Sequence, residues 1–336
     1  MKRLLYVGNK LSKHGNTATS IETLGVFLES EGFEVYYASS KKNKILRMLD
    51  MIWNTLKYAN KVDYVLIDTY STINFWYAFI ISQLCRFLSV KYITKLHGGN
   101  LPNRIKKSRG FCNMIFQNAY INVAPSNYLF KAFENNRYDK LIYIPNTIEL
   151  QNYSFKKRDF VTPKLLWVRS FAKIYNPTMA VKVIFGLKNE FPQAMLCMVG
   201  PVKDESYQET VQLIKEMDVN VVFTEKLTKA EWTELSQQYD IFINTTHFDN
   251  TPVSVIEAMA LGLPVVSTNV GGIPFLLKHQ DNALLVPDND VEKMVYEIKK
   301  LLNNPKLARQ VSENARIFVE DFDWEVVKKQ WFELLK

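Results

Sequence analysis

Short apolar runs rich in β-branched residues alternate with segments of helical periodicity from one end of the chain to the other. Such runs indicate buried strands, and the amphipathic segments between them indicate helices that cover a sheet. The predicted strands are residues 4–7, 35–38, 64–67, 92–96, 121–124, 142–144, 165–168, 195–199, 220–223, 241–244, 265–267 and 283–286. Because strand and helix alternate throughout, the chain is predicted to be an α/β protein with doubly wound parallel sheets.

The pattern restarts after a polar, basic stretch at residues 151–163. A chain of 336 residues suits two domains better than one. We therefore predict a Rossmann-like domain at residues 1–155 and a second at residues 156–321. A last helix, predicted at 324–335, is expected to pack back on the first domain, so that residues 322–336 join it.

Two apolar segments bear on cellular location. The N-terminus turns polar after a few apolar residues, far short of a signal-peptide core, so we expect a cytoplasmic protein. Residues 73–88 are apolar, but they include Gln83 and Arg86 and are shorter than the ~20 apolar residues that a membrane span needs. A buried crossover helix is predicted there instead.

The three cysteines, Cys85, Cys112 and Cys197, are widely spaced and set in apolar stretches. Buried free thiols are therefore predicted rather than disulfides. The four histidines show no metal-binding spacing, and no Cys-x-x-Cys occurs. We therefore expect neither a protein-held metal nor a cofactor.

Positive charge is concentrated in the first half of the chain. Residues 1–155 hold 20 Lys and Arg against 10 Asp and Glu, whereas residues 156–336 hold 22 against 24. Such a field suits phosphates, nucleic acid or an anionic membrane surface, and charge alone does not choose among them.

A loop and helix within residues 244–272 carry the densest polar signal. Thr251 is predicted to cap the helix, and Pro252 fits its first position. The helix would start at the carboxyl end of a parallel strand, where open α/β sheets bind ligands. The backbone amides near Val253 and Ser254, at the positive end of the helix dipole, would then form an anion site.

Two carboxylates flank this predicted anion site. Asp249 precedes the cap by two residues, and Glu257 lies ~8 Å further along the helix axis at 1.5 Å per residue. A diphosphate at the amides would place its sugar near one carboxylate and its ribose near the other. The alternative is that Asp249 merely solvates a loop and Glu257 lies on the helix surface.

The run from Asp249 to Glu257, with Glu-Ala-Met-Ala at its end and Gly-Leu-Pro-Val-Val after it, resembles the E-x7-E signature of retaining glycosyltransferase family 4. His97-Gly98 and the segments 124–126 (Ala-Pro-Ser) and 144–146 (Ile-Pro-Asn) are similar to further motifs of that family. The resemblance covers nearly the whole chain. It implies the glycosyltransferase type B fold, in which two Rossmann-like domains face a central cleft, and a nucleotide-sugar donor as substrate.

The chain departs from the family pattern at two places. The first carboxylate of the signature is Asp249 where the family usually has Glu, so donor preference is expected to shift. The first-domain loop has Gly15-Asn16 where the family often has Gly-Gly. Because Asn tolerates left-handed backbone, an amide cradle for the donor at Gly15 and Asn16 is still expected.

The resemblance also implies which residues act in the reaction. Arg169 and Lys173 resemble the pair that clamps the diphosphate, so that no metal is needed. The resemblance also implies that the product keeps the anomeric configuration of the donor. His97 would contact the donor sugar or the acceptor side, and Asp249 the sugar. The alternatives are a solvated loop lysine for Lys173 and a histidine that caps a backbone group for His97.

Residues 41–61 place apolar side chains, Trp53 among them, at helical spacing within a basic segment, and a second basic cluster lies at 104–109. This pattern is typical of a helix that lies on a lipid surface. We therefore hypothesise that the first domain docks on an anionic membrane, at the inner face of the cell membrane, to reach a lipid-linked acceptor. The alternative is a core helix with a solvated face.

Other functions remain open on sequence grounds. The fold class also includes sugar-nucleotide epimerases and glycogen-type phosphorylases. A nucleic-acid-binding protein is disfavoured because the basic residues are not interleaved with aromatic side chains that could stack on bases. The expected reaction is transfer of a sugar from a UDP-sugar to a glycan or lipid-linked acceptor in bacterial surface polysaccharide synthesis.

Overall fold

The structure is a computed structural model that describes residues 2–14 and 19–336. Twelve strands run through the described residues, and all twelve predicted strands are confirmed within two residues. Their bounds are β1 Arg3–Val7, β2 Glu34–Ala38, β3 Tyr64–Thr69, β4 Tyr92–Leu96, β5 Ile121–Ala124, β6 Leu141–Tyr143, β7 Lys164–Val168, β8 Met195–Val199, β9 Val221–Thr224, β10 Ile241–Asn244, β11 Val265–Thr268 and β12 Leu284–Val286.

Helices fill most of the connections between these strands. Their bounds are α1 Ser20–Ser30, α2 Lys44–Tyr58, α3 Phe75–Phe87, α4 Leu101–Lys107, α5 Arg109–Phe116, α6 Asn127–Glu134, α7 Pro177–Lys188, α8 Ser206–Met217, α9 Lys229–Ser236, α10 Val253–Ala260, α11 Val291–Asn303, α12 Pro305–Glu320 and α13 Trp324–Leu334. Strong caps start several of them: the Asn43 side chain accepts the amides of Ile45 and Leu46 at the start of α2.

The strands form two six-stranded sheets in which every pairing is parallel. One sheet has the order β2-β1-β3-β4-β5-β6, and the other has the order β12-β11-β10-β7-β8-β9. In each sheet the chain reverses its direction of winding beside the first strand of the set, which opens a crevice at the carboxyl ends of the strands. The predicted α/β class with two doubly wound parallel sheets is confirmed.

The chain divides into two compact units. Unit 1 comprises Met1–Pro145 and Lys328–Lys336, and unit 2 comprises Asn146–Val327. The division lies ten residues before the predicted boundary at 155, because the intervening segment packs on unit 2. The Ile148 amide donates to the Phe322 carbonyl at 3.0 Å, and the Trp324 amide donates to the Ile148 carbonyl at 2.9 Å.

Each unit has its own apolar core, as covered parallel sheets require. All six residues of β3 and all five of β4 are buried. The predicted buried thiols are confirmed, since Cys85, Cys112 and Cys197 are free and buried. Across the described residues, no helix combines the length and the apolar character that spanning a bilayer would need.

The buried crossover helix predicted at 73–88 needs a correction. The helix forms as α3, and its inward side chains, such as Phe75 and Ile81, are fully buried. On its other side Trp76, Ile80 and Phe87 are exposed. The apolar residues of this run therefore lie on two faces of α3, one packed against the core and one exposed to solvent.

Candidate functional site

Arg169 lies at the carboxyl edge of the second sheet, directly after β7. Its Nη2 donates to Asp249 Oδ2 at 2.5 Å, and its Nε donates to the side chain of Asn244, at the end of β10, at 3.4 Å. The guanidinium also lies 4.9 Å from the centroid of the Tyr175 ring. These three contacts hold the cation in one orientation, which leaves its other N–H groups available to an anionic ligand.

Helix α10 starts at the end of the loop that carries Asp249. The residue that caps it differs from the predicted one. Pro252 has extended backbone and flanks the helix, which begins at Val253, so the cap is not Thr251. The Val255 and Ile256 amides donate to the Pro252 carbonyl at 3.1 and 3.3 Å. Val253 and Ser254 occupy the first two positions of the helix, so no helical carbonyl lies one turn earlier to accept their amides, which have no partner within the helix.

The Ser254 hydroxyl adds a second polar group at this helix start. Its Oγ is buried and has no hydrogen-bond partner among the described residues. Buried polar groups without partners are rare, and one at a ligand-binding edge is consistent with a partner supplied by a ligand.

Two glycines fit tightly against the Asp249 loop. A Cβ on Gly272 would lie 2.0 Å from the Asn250 carbonyl oxygen, and one on Gly271 would lie 2.4 Å from the Asp249 carbonyl oxygen. The Gly272 amide donates to that Asp249 carbonyl at 2.7 Å. Only glycine permits this approach, so the loop that carries Asp249 is packed in place rather than merely solvated.

Glu257 is a buried carboxylate rather than a surface helix residue, with 5% of its surface exposed. Its Oε1 accepts the Tyr153 hydroxyl at 2.7 Å and the Lys229 ammonium at 3.0 Å. Burial raises the pKa of Tyr153 well above its ordinary value, and the Glu257 charge raises it further, so the phenol stays a donor. Sequence patterns alone gave no indication of Tyr153 or Lys229.

We expect Glu257→Gln to weaken nucleotide-sugar binding by at least tenfold. The charged carboxylate oxygens that would accept hydrogen bonds from the ribose hydroxyls are replaced by a neutral amide. Stability should fall by about 1–3 kcal/mol, since Tyr153 and Lys229 lose a charged acceptor. Calorimetric titration and thermal melting measure the two effects. Tyr153→Phe is the matched control, because it removes one hydrogen bond but keeps the charge; equal loss of binding in both variants would contradict the assignment.

Lys173 is exposed and pairs with carboxylates other than Asp249 and Glu257. Its ammonium pairs with Glu205 at 2.8 Å and with Glu209 at 3.7 Å. The hydrogen bond to Glu205 raises the pKa of Lys173. The structure therefore brings together Arg169, Asp249 and the start of α10, but it places Lys173 in an ion-pair cluster of its own.

In unit 1, His97 follows β4 and contacts a carboxylate that the sequence reading missed. Its Nε2 lies 2.7 Å from Oδ1 of Asp68, a fully buried residue of β3, and its ring stacks on Tyr70. Burial lowers the pKa of His97, against the Asp68 charge, which raises it. We assign the proton to Nε2 from the carboxylate contact, which makes Nδ1 a hydrogen-bond acceptor.

Asp68 is the centre of a buried polar network at this edge. Its Oδ1 also accepts the Tyr6 hydroxyl at 3.0 Å, and its Oδ2 has no hydrogen-bond partner within the described residues. Lys95 is buried nearby and donates to Ser20 Oγ at 2.6 Å. Burial lowers the pKa of Lys95 to about 8, against the raising effect of Asp68. The only sequence signal for Asp68 was an acidic residue inside an apolar strand.

The predicted donor-binding residues Gly15 and Asn16 lie outside the described residues. Among the residues that are described, no group of three or more His, Cys, Asp or Glu is arranged to hold a metal ion. The predicted roles of His97, Asp249, Arg169, Lys173, Thr251, Val253, Ser254 and Glu257 stay predictions.

Known proteins share this architecture. Sucrose-phosphate synthase from Thermosynechococcus elongatus superposes with a TM-score of 0.81 at 16% identity, over 99% of this chain and 98% of that one. The Anabaena protein HepE in complex with UDP-glucose superposes with a TM-score of 0.77 at 16% identity, over 100% and 99%. The two sheets and their helices thus define a protein of the glycosyltransferase type B fold.

Sequence comparison narrows this class for unit 2. Residues 153–318 match the family model described as Glycosyl transferases group 1. An uncharacterized glycosyltransferase of Haemophilus influenzae is 30% identical over 152 residues. That match covers 45% of this chain and 42% of the relative, so the chain spans less than half of the relative's length.

Proposed function

We propose that the protein is a retaining, metal-independent glycosyltransferase of family 4 that transfers a sugar from a UDP-sugar to a glycan or lipid-linked acceptor in bacterial surface polysaccharide synthesis. The observation that carries the proposal is the Arg169–Asp249 pair, in which Arg169 after β7 lies 2.5 Å from Asp249 in the loop that leads into α10. A cation and a carboxylate beside open helix amides suit a diphosphate joined to a sugar.

The choice of UDP rests on a structural neighbour. HepE, whose fold this chain shares, is known in complex with UDP-glucose. Asp249 is shorter by one methylene than the Glu of the family signature, so sugars other than glucose belong in the first donor screen.

The step that needs the most electrostatic stabilisation is cleavage of the donor, because negative charge then develops on the leaving diphosphate. The bond between the anomeric carbon and the diphosphate oxygen breaks, and the acceptor oxygen bonds to that carbon on the same face. The acceptor proton passes to the departing phosphate oxygen. Arg169 and the amides of Val253 and Ser254 would stabilise the charge on the leaving diphosphate, and Asp249 would hold the sugar hydroxyls.

The proposed roles of other residues differ in the support they have. The Nδ1 atom of His97 would accept a hydrogen bond from a hydroxyl group of the donor sugar or of the acceptor substrate, because Asp68 holds the proton on Nε2. Lys173 would need to leave Glu205 and Glu209 to reach a phosphate, so we assign the diphosphate contact first to Arg169.

A thermal-shift panel of UDP, GDP and ADP tests the donor proposal. We expect UDP to raise the melting temperature by several degrees at 100 times its Kd, where binding adds ~2.7 kcal/mol of stability. A larger shift with GDP or ADP would reassign the base, and no shift with any of the three would reject the donor site. Transfer should continue in EDTA; loss of activity that Mg²⁺ restores would reject metal independence.

The products distinguish this proposal from the rival enzymes of the same fold. A sugar-nucleotide epimerase would consume the donor without any acceptor, and a phosphorylase would require inorganic phosphate. Retention is read from the anomeric proton coupling of the product. Salt-sensitive binding to DNA or RNA would support the nucleic-acid alternative, which we do not expect.

A further inference from the structure

Three helices of unit 1 lie side by side on one face of its sheet. Helix α2 packs against α3, and α3 packs against α5. They connect β2, β3, β4 and β5, which follow one another across the sheet apart from the central β1. Right-handed crossovers that step in one direction place their helices on the same face. We call the outward surface of α2, α3 and α5 the three-helix face.

Large apolar side chains cover the three-helix face. Trp53 on α2 is 66% exposed, and Phe87 at the end of α3 is 85% exposed. The full set of exposed apolar residues is Ile45, Leu46, Leu49, Trp53, Leu56, Ile73, Trp76, Ile80, Phe87, Phe111 and Met114. Contacts between rings join neighbouring helices, since Trp76 and Phe111 have centroids 5.2 Å apart. Monomeric proteins rarely expose so many apolar side chains on one surface without a binding role.

Helix α2 shows that this exposure is not an ordinary amphipathic pattern. Its buried residues are Arg47, Met51 and Thr55, so two of the three are polar. Its larger apolar residues, Trp53 and Leu49 among them, point to solvent. Met48 and Ile52 pack against the core of unit 1, so α2 is a core helix whose solvated face also carries large apolar side chains.

The same surface is strongly basic. Residues 41–116 hold 13 Lys and Arg against 3 Asp and Glu, and Asp50 is the single carboxylate within the sequences of α2, α3 and α5. Exposed cations occur on α2, α3 and α5 or next to them in the chain: Lys41, Lys42, Lys44, Lys57, Arg86, Lys106, Lys107 and Arg109. A second copy of this chain would bring an equally positive face, so self-association here is opposed by charge.

We propose that the three-helix face docks on an anionic lipid bilayer. Apolar side chains with two tryptophans would enter the interfacial layer, and the cations would pair with lipid phosphates. The sequence pointed only to residues 41–61 and 104–109; the structure adds the outward residues of α3 and α5. The inference does not depend on sugar transfer, because it concerns a surface of unit 1 alone.

Co-sedimentation of the full chain with vesicles tests the proposal. We expect binding to phosphatidylcholine vesicles that contain 30% phosphatidylglycerol, weaker binding in 0.5 M NaCl, and little binding to phosphatidylcholine alone. Leu49→Glu with Trp53→Glu should lower the affinity at least tenfold. Replacing Lys41, Lys42 and Lys44 by Ala should lower it roughly a hundredfold, about fivefold for each cation. Tryptophan emission should shift to the blue on binding.

The matched control is Phe160→Glu, which changes an apolar residue of unit 2 that is 72% exposed. It should bind vesicles like the unmodified chain. Circular dichroism and UDP binding should be unchanged in all variants, because the replaced side chains are exposed. Absence of vesicle binding, or equal loss in the Phe160 variant, would overturn the proposal. A dimer in sedimentation velocity that Leu49→Glu with Trp53→Glu dissolves would assign the face to a second copy instead.

Discussion

Arg169→Ala is expected to lower kcat for sugar transfer by about 10²–10³, with a smaller change in donor affinity. Its guanidinium is oriented by Asp249, Asn244 and the Tyr175 ring, so it meets the charge that develops on the leaving diphosphate without reorganising. The substitution also leaves the Asp249 carboxylate without its cation, and that unpaired charge would repel the donor. Steady-state and single-turnover kinetics separate the two effects.

Two further variants sharpen this test. Arg169→Ala combined with Asp249→Asn removes the uncompensated charge but keeps a carbonyl oxygen for the sugar hydroxyls, so donor affinity should recover in part while kcat stays low. Arg309→Ala is the matched control, because Arg309 also pairs with an aspartate, Asp159, but in a different part of unit 2. If Arg169→Ala changes only KM, Arg169 binds the donor equally well in the ground state and in the transition state. That result would reject its proposed role in the leaving-group step.

Asp68→Asn should give the second large effect, a loss in kcat on the order of 10². The carboxylate holds the proton of His97 on Nε2, and an amide no longer fixes which ring nitrogen carries it. We expect Asp68 to act through His97, so it is a positioning residue rather than one that contacts the substrate. Asp63→Asn, an exposed aspartate just before β3, is the control and should leave kcat unchanged.

A pH profile distinguishes positioning from general damage to the fold. His97 is neutral above its lowered pKa, so activity should fall as pH drops through that value and Nδ1 gains a proton. Because the Asp68 charge raises the pKa of His97, Asp68→Asn should move this acidic limb to lower pH. An unshifted limb with reduced activity would mean that Asp68 has only a structural role.

Most of the fold was predictable because its signals are local. A buried parallel strand is a short apolar run, and all twelve such runs became strands. The predicted anion site rests on the spacing of Asp249, Pro252 and Glu257 within a few residues, and it stays a prediction. The exact start of α10 was not predictable, because Pro252 fits either side of a helix boundary, and its extended backbone is set by the loop before it.

Side-chain partners were harder to predict because they join distant parts of the chain. Tyr153 contacts Glu257 across 104 residues, and Asp68 contacts His97 from a neighbouring strand. Lys173 gives a further example: its ammonium pairs with Glu205, just before α8, and with Glu209 on α8, and neither partner was predicted. Its predicted phosphate contact stays a prediction. Spacing places a residue at a sheet edge, whereas its partner depends on which strands become neighbours.

The order of residues by itself determined two doubly wound sheets and the polar loop before α10, because strand periodicity and strand ends are properties of a few consecutive residues. Tertiary structure alone decided that Glu257 is buried, that Asp68 orients His97, and that α2 and α3 turn apolar side chains outward. Those outcomes depend on contacts between residues far apart in sequence. Whether a side chain is buried or paired with a charge is set by several helices and strands together.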